Sequence, residues 1–167
     1  MDLTTQKILT SIIASLTVAI IIFLFKRNFF QTKDINGEWD LRIKILKSSY
    51  NPYIGLQIDY KVHLLLQDNK ITGRGEKVRD IKSDGDLHYE YPHKDRATFT
   101  ITGNLEKNYF RPSKINLQIT ETGTERTTSS SYYLIIKNRN YLEGNFESTA
   151  ADSKGEATWT RLDKSYK

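Results

Sequence analysis

Two patterns of apolar residues divide this chain. From Ile8 to Phe25 it runs 18 residues without a charge, ILTSIIASLTVAIIIFLF, between Lys7 and the pair Lys26-Arg27. A helix of that length rises about 27 Å, close to the ~30 Å hydrocarbon core of a bilayer. From residue 36 onward the apolar run gives way to period-two alternation, the pattern of half-buried strands. In 36–46, Trp39, Leu41, Ile43 and Ile45 share one face, and Glu38, Asp40, Arg42 and Lys44 the other. In 57–68 the apolar face is Ile58, Tyr60, Val62, Leu64 and Leu66; Asp68-Asn69 then supplies turn chemistry into a hairpin partner over 70–80. A polar connection, 82–95, precedes 96–103, with Ala97, Phe99 and Ile101 on one face. The strand 113–121 carries Ile115, Leu117 and Ile119, and 130–137 carries Tyr132, Leu134 and Ile136. After a turn at Asn138-Arg139-Asn140 come 140–148, with Leu142, Gly144 and Phe146, and 154–162, with Ala157 and Trp159. The pattern predicts an all-β domain of eight antiparallel strands behind one N-terminal transmembrane helix. Short connections favour an up-and-down barrel, which leaves no exposed edge; a two-sheet sandwich fits the same alternation.

The predicted organisation is an anchor over 1–27, a linker over 28–35 and a barrel over 36–163. A cleaved signal peptide is the rival reading of the N-terminus. The start, MDLTTQK, is barely basic, the apolar run is longer than a usual signal core, and no Ala-x-Ala site follows it. Lys26, Arg27 and Lys33 lie after the span and only Lys7 before it, so the positive-inside rule places the C-terminal domain of this single-pass chain in the cytoplasm. Ser11, Ser15 and Ala19 recur every four residues and put a small-residue face on the helix, suited to self-association or simply ordinary membrane-span composition.

Charge and cysteine content narrow the function classes. Residues 28–167 hold 22 Lys and Arg against 19 Asp and Glu, a net of +3, too mild for a protein that coats DNA or RNA. Absence of cysteine excludes disulfides, thiol catalysis and zinc-thiolate sites. The three histidines, His63, His88 and His93, show no helical metal-site spacing. Asp84 or Asp86 near His88 and His93, and the acids Glu90 and Asp95, fit a solvated connection. No nucleophile elbow, phosphate loop or dinucleotide fingerprint is present, so the expectation is a non-enzyme without metal or cofactor.

Gly37-Glu38-Trp39 opens the first strand and Trp159-Thr160-Arg161 closes the last. This arrangement resembles lipocalin-like barrels, in which such an arginine lies over the first-strand tryptophan. Gly37, Trp39, Trp159 and Arg161 are accordingly read as the closure of one barrel end, through a cation–π contact. The whole layout, with the segments Ile71 to Lys77, Gly144 to Thr149 and Gly155 to Arg161, resembles the membrane-anchored β-barrel effectors of bacterial cyclic-oligonucleotide anti-phage signalling (CBASS). That family usually carries two membrane helices; this sequence shows one. The resemblance implies a cytoplasmic barrel that binds a cyclic oligonucleotide, then homo-oligomerises, disrupts the inner membrane and kills the infected cell.

Such a ligand offers phosphates for cations and hydroxyls, and flat bases for aromatic rings. Arg74, Lys77 and Arg79, interleaved with Gly73 and Gly75, form either a phosphate grip or a solvated strand with a barrel-corner bend. Arg74 and Lys77 fall on opposite faces of a regular strand and can act together only across a bulge. Arg126, Thr128 and Tyr132 offer a cation, a hydroxyl and a stacking ring, or a polar strand facing water. Tyr89 and Tyr91 form a lid or edge packing, and Tyr60 a pocket floor or a core residue. A different reading is a bitopic envelope-complex subunit whose β domain is a protein–protein interaction module.

Overall fold

A computed structural model describes residues 3–29, 34–108, 111–122 and 127–162, with no side-chain description over 24–29. The chain divides into two compact units, Met1–Lys33 and Asp34–Lys167. In the first, one helix, α1, spans Leu3–Phe29. Its stretch Leu3–Phe23 is long and apolar enough to cross a membrane and has no buried residues; a signal sequence would share these features. Apolar side chains surround it on every side, as lipid contact requires and water does not. The hydroxyls of Thr10, Ser15 and Thr17 donate to carbonyls one turn back, Ser15 Oγ to Ser11 O at 2.9 Å, which satisfies these three donors within the helix itself.

The second unit is a closed antiparallel barrel. Among the described residues nine strands form: β1 (Gly37–Lys47), β2 (Gln57–Gln67), β3 (Lys70–Ile81), β4 (Leu87–Glu90), β5 (Thr98–Glu106), β6 (Lys114–Thr122), β7 (Thr127–Asn138), β8 (Tyr141–Ser148) and β9 (Ser153–Arg161). Eight of them close the ring in the order β1-β2-β3-β5-β6-β7-β8-β9, and β9 pairs back onto β1 through Trp39↔Arg161 and Leu41↔Trp159. The sandwich is thereby set aside. The ninth strand, β4, arises inside the connection read as polar and irregular: Tyr89 pairs with Asp80 and Leu87 with Ile81, extending β3 beyond the end of β5.

Inward and outward positions follow the alternation. On β1 every second residue from Trp39 to Ile45 is buried. The linker ends sooner than 35, because Ile35 is 1% exposed and belongs to the core. One barrel end is plugged by Ile35, Trp39, Leu64, Ile71, Ile115, Ile136, Leu142 and Trp159, each 1% exposed or less. Close strand approach there needs small residues: a Cβ at Gly144 would overlap the Tyr133 carbonyl across the sheet. Trp39 donates Nε1–H to the Ile35 carbonyl at 2.9 Å, and the Arg161 guanidinium lies 5.5 Å from the Trp39 ring centre. Arg161 also donates to the carbonyls of Asp34, at 3.0 Å, and Asn36, which ties the incoming chain to the last strand. Gly37 sits between them at φ 121°, a conformation other residues rarely adopt.

One irregularity decides what faces the interior. Asp59 pairs with Arg79, but Tyr60 pairs with Lys77, so Val78 is an extra residue on β3. Its carbonyl accepts Tyr91 N–H at 2.9 Å. The bulge shifts the phase of the strand, so Lys77 before it and Asp80 after it both face inward.

Candidate functional site

Opposite the plugged end the barrel opens into a cup of about 540 Å³. Its wall is Ile43, Ile45 and Ile58 on the aliphatic side, with Tyr60, Lys77, Asp80, Glu121, Thr128, Ser130 and Tyr132 supplying polar groups. The rim is the turn Asn51–Tyr53 after β1, where Tyr50 and Tyr53 meet edge to face at 5.0 Å, together with His88, Tyr91 and Ala150. Below the cup lies a recess of about 20 Å³ between Tyr60, Phe99, Tyr132 and Glu121.

The charged part of the wall is organised around Asp80, which is 7% exposed. Its Oδ2 accepts Lys77 Nζ–H at 2.8 Å and Tyr91 O–H at 2.8 Å, and Lys77 Nζ lies 3.1 Å from the Tyr91 hydroxyl. Asp80 Oδ1 is buried without a hydrogen-bond partner. Burial disfavours the Lys77 ammonium, but hydrogen bonding to Asp80 and its charge outweigh that and raise the lysine above its ordinary value. Tyr91 is raised mainly by its burial. Desolvation likewise pushes the hydroxyls of Tyr60 and Tyr132 up, with the Glu121 charge adding to both. All four groups hold their protons more tightly in the fold than in the unfolded chain. Their contribution is therefore complete below pH ~10, and stability falls as pH rises through the raised values. Urea midpoints measured from pH 8 to 11.5 should drop steeply above about pH 10. A flat profile would show that these groups titrate as they do when unfolded.

The structure brings Tyr60, Lys77, Tyr91, Thr128 and Tyr132 together on the cup. Tyr89 stays outside it, half exposed, with its ring edge on Tyr91 at 4.6 Å. Arg74 and Arg79 do not join them. The bulge lies beyond both Arg74 and Lys77, so these two remain on opposite faces, and Arg74 is exposed on the outer wall. Arg79 faces outward as well and donates Nε–H to Asp59 Oδ2 at 2.7 Å. Asp59 takes Arg42 Nε–H at 2.7 Å on its other oxygen; burial opposes its charge, but the two arginines hold its carboxyl below the usual range. Gly75 gives room to a side chain rather than to a ligand, since a Cβ there would overlap the Phe99 ring. On β7, Thr128, Ser130 and Tyr132 face in, while Ser131 donates to Gln118 Oε1 on the outside at 2.9 Å. Arg126 lies outside the described residues.

Asp80, Glu121 and Ser148 also line the cup and went unnoticed in the sequence, whereas Ser130 belongs to the hydroxyl-rich stretch around Thr128. Glu121 was legible: it continues the inward series Ile115, Leu117, Ile119. Asp80 was not, because a regular strand would turn it outward. Among the described residues no group of three or more His, Asp or Glu is placed to hold a metal.

No protein-family model matches this chain. No curated protein matches it either. Among solved structures it is similar to a redesigned β-barrel, with a TM-score of 0.50 and 11% identity over 77% of this chain and 92% of that one. That likeness concerns the barrel fold alone.

Proposed function

We propose that this chain is a membrane-anchored receptor whose cup binds a cyclic nucleotide second messenger. The observation that carries the reading is the convergence of Tyr60, Lys77, Tyr91, Thr128 and Tyr132, from separate segments, on one cavity of about 540 Å³ that opens at a single end. Rings and hydroxyls on that wall suit flat, polar bases; a purely apolar lipid would give no donor to Asp80 Oδ1 or Glu121. The interaction-module alternative draws less support, since it calls for a filled barrel. In keeping with the resemblance, ligand binding would drive self-association of the anchored chains along the face of Ser11, Ser15 and Ala19, and thence disruption of the bacterial inner membrane in anti-phage defence. The basic residues after the span support a cytoplasmic barrel.

The test uses the full chain in nanodiscs and a panel of cyclic di- and trinucleotides. One or more should raise the melting temperature of the barrel; at a hundredfold excess over Kd the stabilisation is about 2.7 kcal/mol. Thr128→Trp, which fills the cup, should abolish that shift while the unliganded melting temperature stays the same or rises. No shift across the panel, or an undiminished shift in Thr128→Trp, defeats the receptor reading.

A further inference from the structure

Glu121 is the least explained group in the cup. The inward series of β6 places a carboxyl side chain where an aliphatic one would pack, and it lines both the cup and the recess beneath. Among the described residues it has no ion-pair partner, while Lys77 is already engaged by Asp80. A second acceptor stands unused on the same wall, Asp80 Oδ1, in a side chain more than nine-tenths buried. A buried acceptor such as Asp80 Oδ1 is costly in a folded protein unless something donates to it, and Glu121, half-buried on the same open wall, offers a second carboxylate to the same donor-bearing ligand.

A carboxylate accepts only. It repels a phosphate, and it repels the carbonyl edge of a pyrimidine such as uracil. The part of a nucleotide that can approach it is a base edge rich in N–H donors. Adenine and cytosine set one amine beside an acceptor. Guanine sets N1–H and the exocyclic amine side by side, two parallel donors matched to the two oxygens of one carboxylate. Tyr60 and Tyr132 line the cup beside Glu121, so a base reaching that carboxyl is bordered by aromatic side chains; the recess of about 20 Å³ beneath has room for a water only.

The geometry points to Glu121 as a base-reading residue, with the cup selecting a cyclic nucleotide that contains guanine and Asp80 Oδ1 offering a further acceptor to its donors. This rests on the cyclic-nucleotide reading above. The base then lies deep, and the phosphates are left to Lys77 and His88 among the described lining residues.

Titration calorimetry of the full chain in nanodiscs of zwitterionic lipid decides the matter, with cyclic di-GMP, cyclic di-IMP, cyclic di-AMP and cyclic di-UMP as probes. Inosine keeps N1–H and lacks only the exocyclic amine. Cyclic di-GMP should bind about 5- to 150-fold tighter than cyclic di-AMP or di-UMP, the discrimination one bidentate base contact gives, with cyclic di-IMP between them. Glu121→Gln should erase that preference and leave the weaker ligands within about threefold of their starting affinity. The unmodified protein already decides the question if the variant does not fold. Equal affinity for guanine and adenine or uracil ligands, or a preference that survives in Glu121→Gln, overturns the assignment while the receptor reading stands. If none of the four binds but another cyclic nucleotide does, the guanine assignment falls alone; if no cyclic nucleotide binds, both fall.

Discussion

Trp39→Ala should cost the barrel about 3–5 kcal/mol, the loss expected for emptying a fully buried aromatic site. Trp39 is completely buried at the plugged end, and its neighbours are fixed by strand register, opposite Val62 on one side and Arg161 on the other. Those neighbours cannot collapse into the space without breaking the ring of strands. Two further losses follow: the Ile35 carbonyl gives up its Nε1–H donor, and Arg161 gives up the ring beneath its guanidinium. Denaturant titration of the full chain in micelles measures the effect. Trp39→Phe separates the contributions, because it keeps much of the volume and leaves the carbonyl unpaired at roughly 1–3 kcal/mol. A loss under about 1 kcal/mol in Trp39→Ala would mean that the closed end can repack and does not organise the fold.

Asp80→Ala should be nearly as damaging, by roughly 3–5 kcal/mol, for an electrostatic reason. It strands the Lys77 ammonium, only 18% exposed at the side chain, without its counter-charge, and removes the acceptor of the Tyr91 hydroxyl. The attraction in the intact pair is largely offset by the desolvation of both ions, so the pair itself adds little. What costs is breaking one side of it. Asp80→Ala combined with Lys77→Met should therefore recover most of the stability, and a double-mutant cycle in denaturant checks this. If the double variant is no better than Asp80→Ala, the damage comes from lost packing of the bulge and not from an uncompensated charge.

How far the site could be read from sequence depends on the residue. Tyr60, Thr128 and Tyr132 sit at inward positions of unbroken alternation, so local pattern suffices to place them inside. Lys77 was chosen together with Arg74 and Arg79 for its charge, and the fold separates the three. Arg79 is spent on Asp59 outside, and Arg74 faces solvent. Gly73 and Gly75 hinted at a bend or bulge on this strand but not at its place; the extra residue is Val78, because a bulge is defined by the partner strand it fails to match. The short strand at Leu87–Glu90 was hidden for a similar reason, since its exposed residues show no inward face and its pairing exists only where β3 outruns β5.

The sequence by itself determined the apolar N-terminal helix, the strand segments, the inward residues of each regular strand and the tryptophan–arginine closure. The first three follow from local periodicity; the closure was implied by the resemblance to lipocalin-like barrels, carried by Gly37-Glu38-Trp39 at the start of the first strand and Trp159-Thr160-Arg161 at the end of the last. Tertiary structure decided which end closes, where the phase of β3 shifts, and that Lys77, Asp80 and Glu121 share one cavity. Those outcomes depend on how distant strands register and on which side-chain volumes meet at each level of the barrel. Bulky rings and aliphatics fill the level of Trp39 and Trp159, while short hydroxyls and charged groups leave the level of Ser130 and Asp80 open.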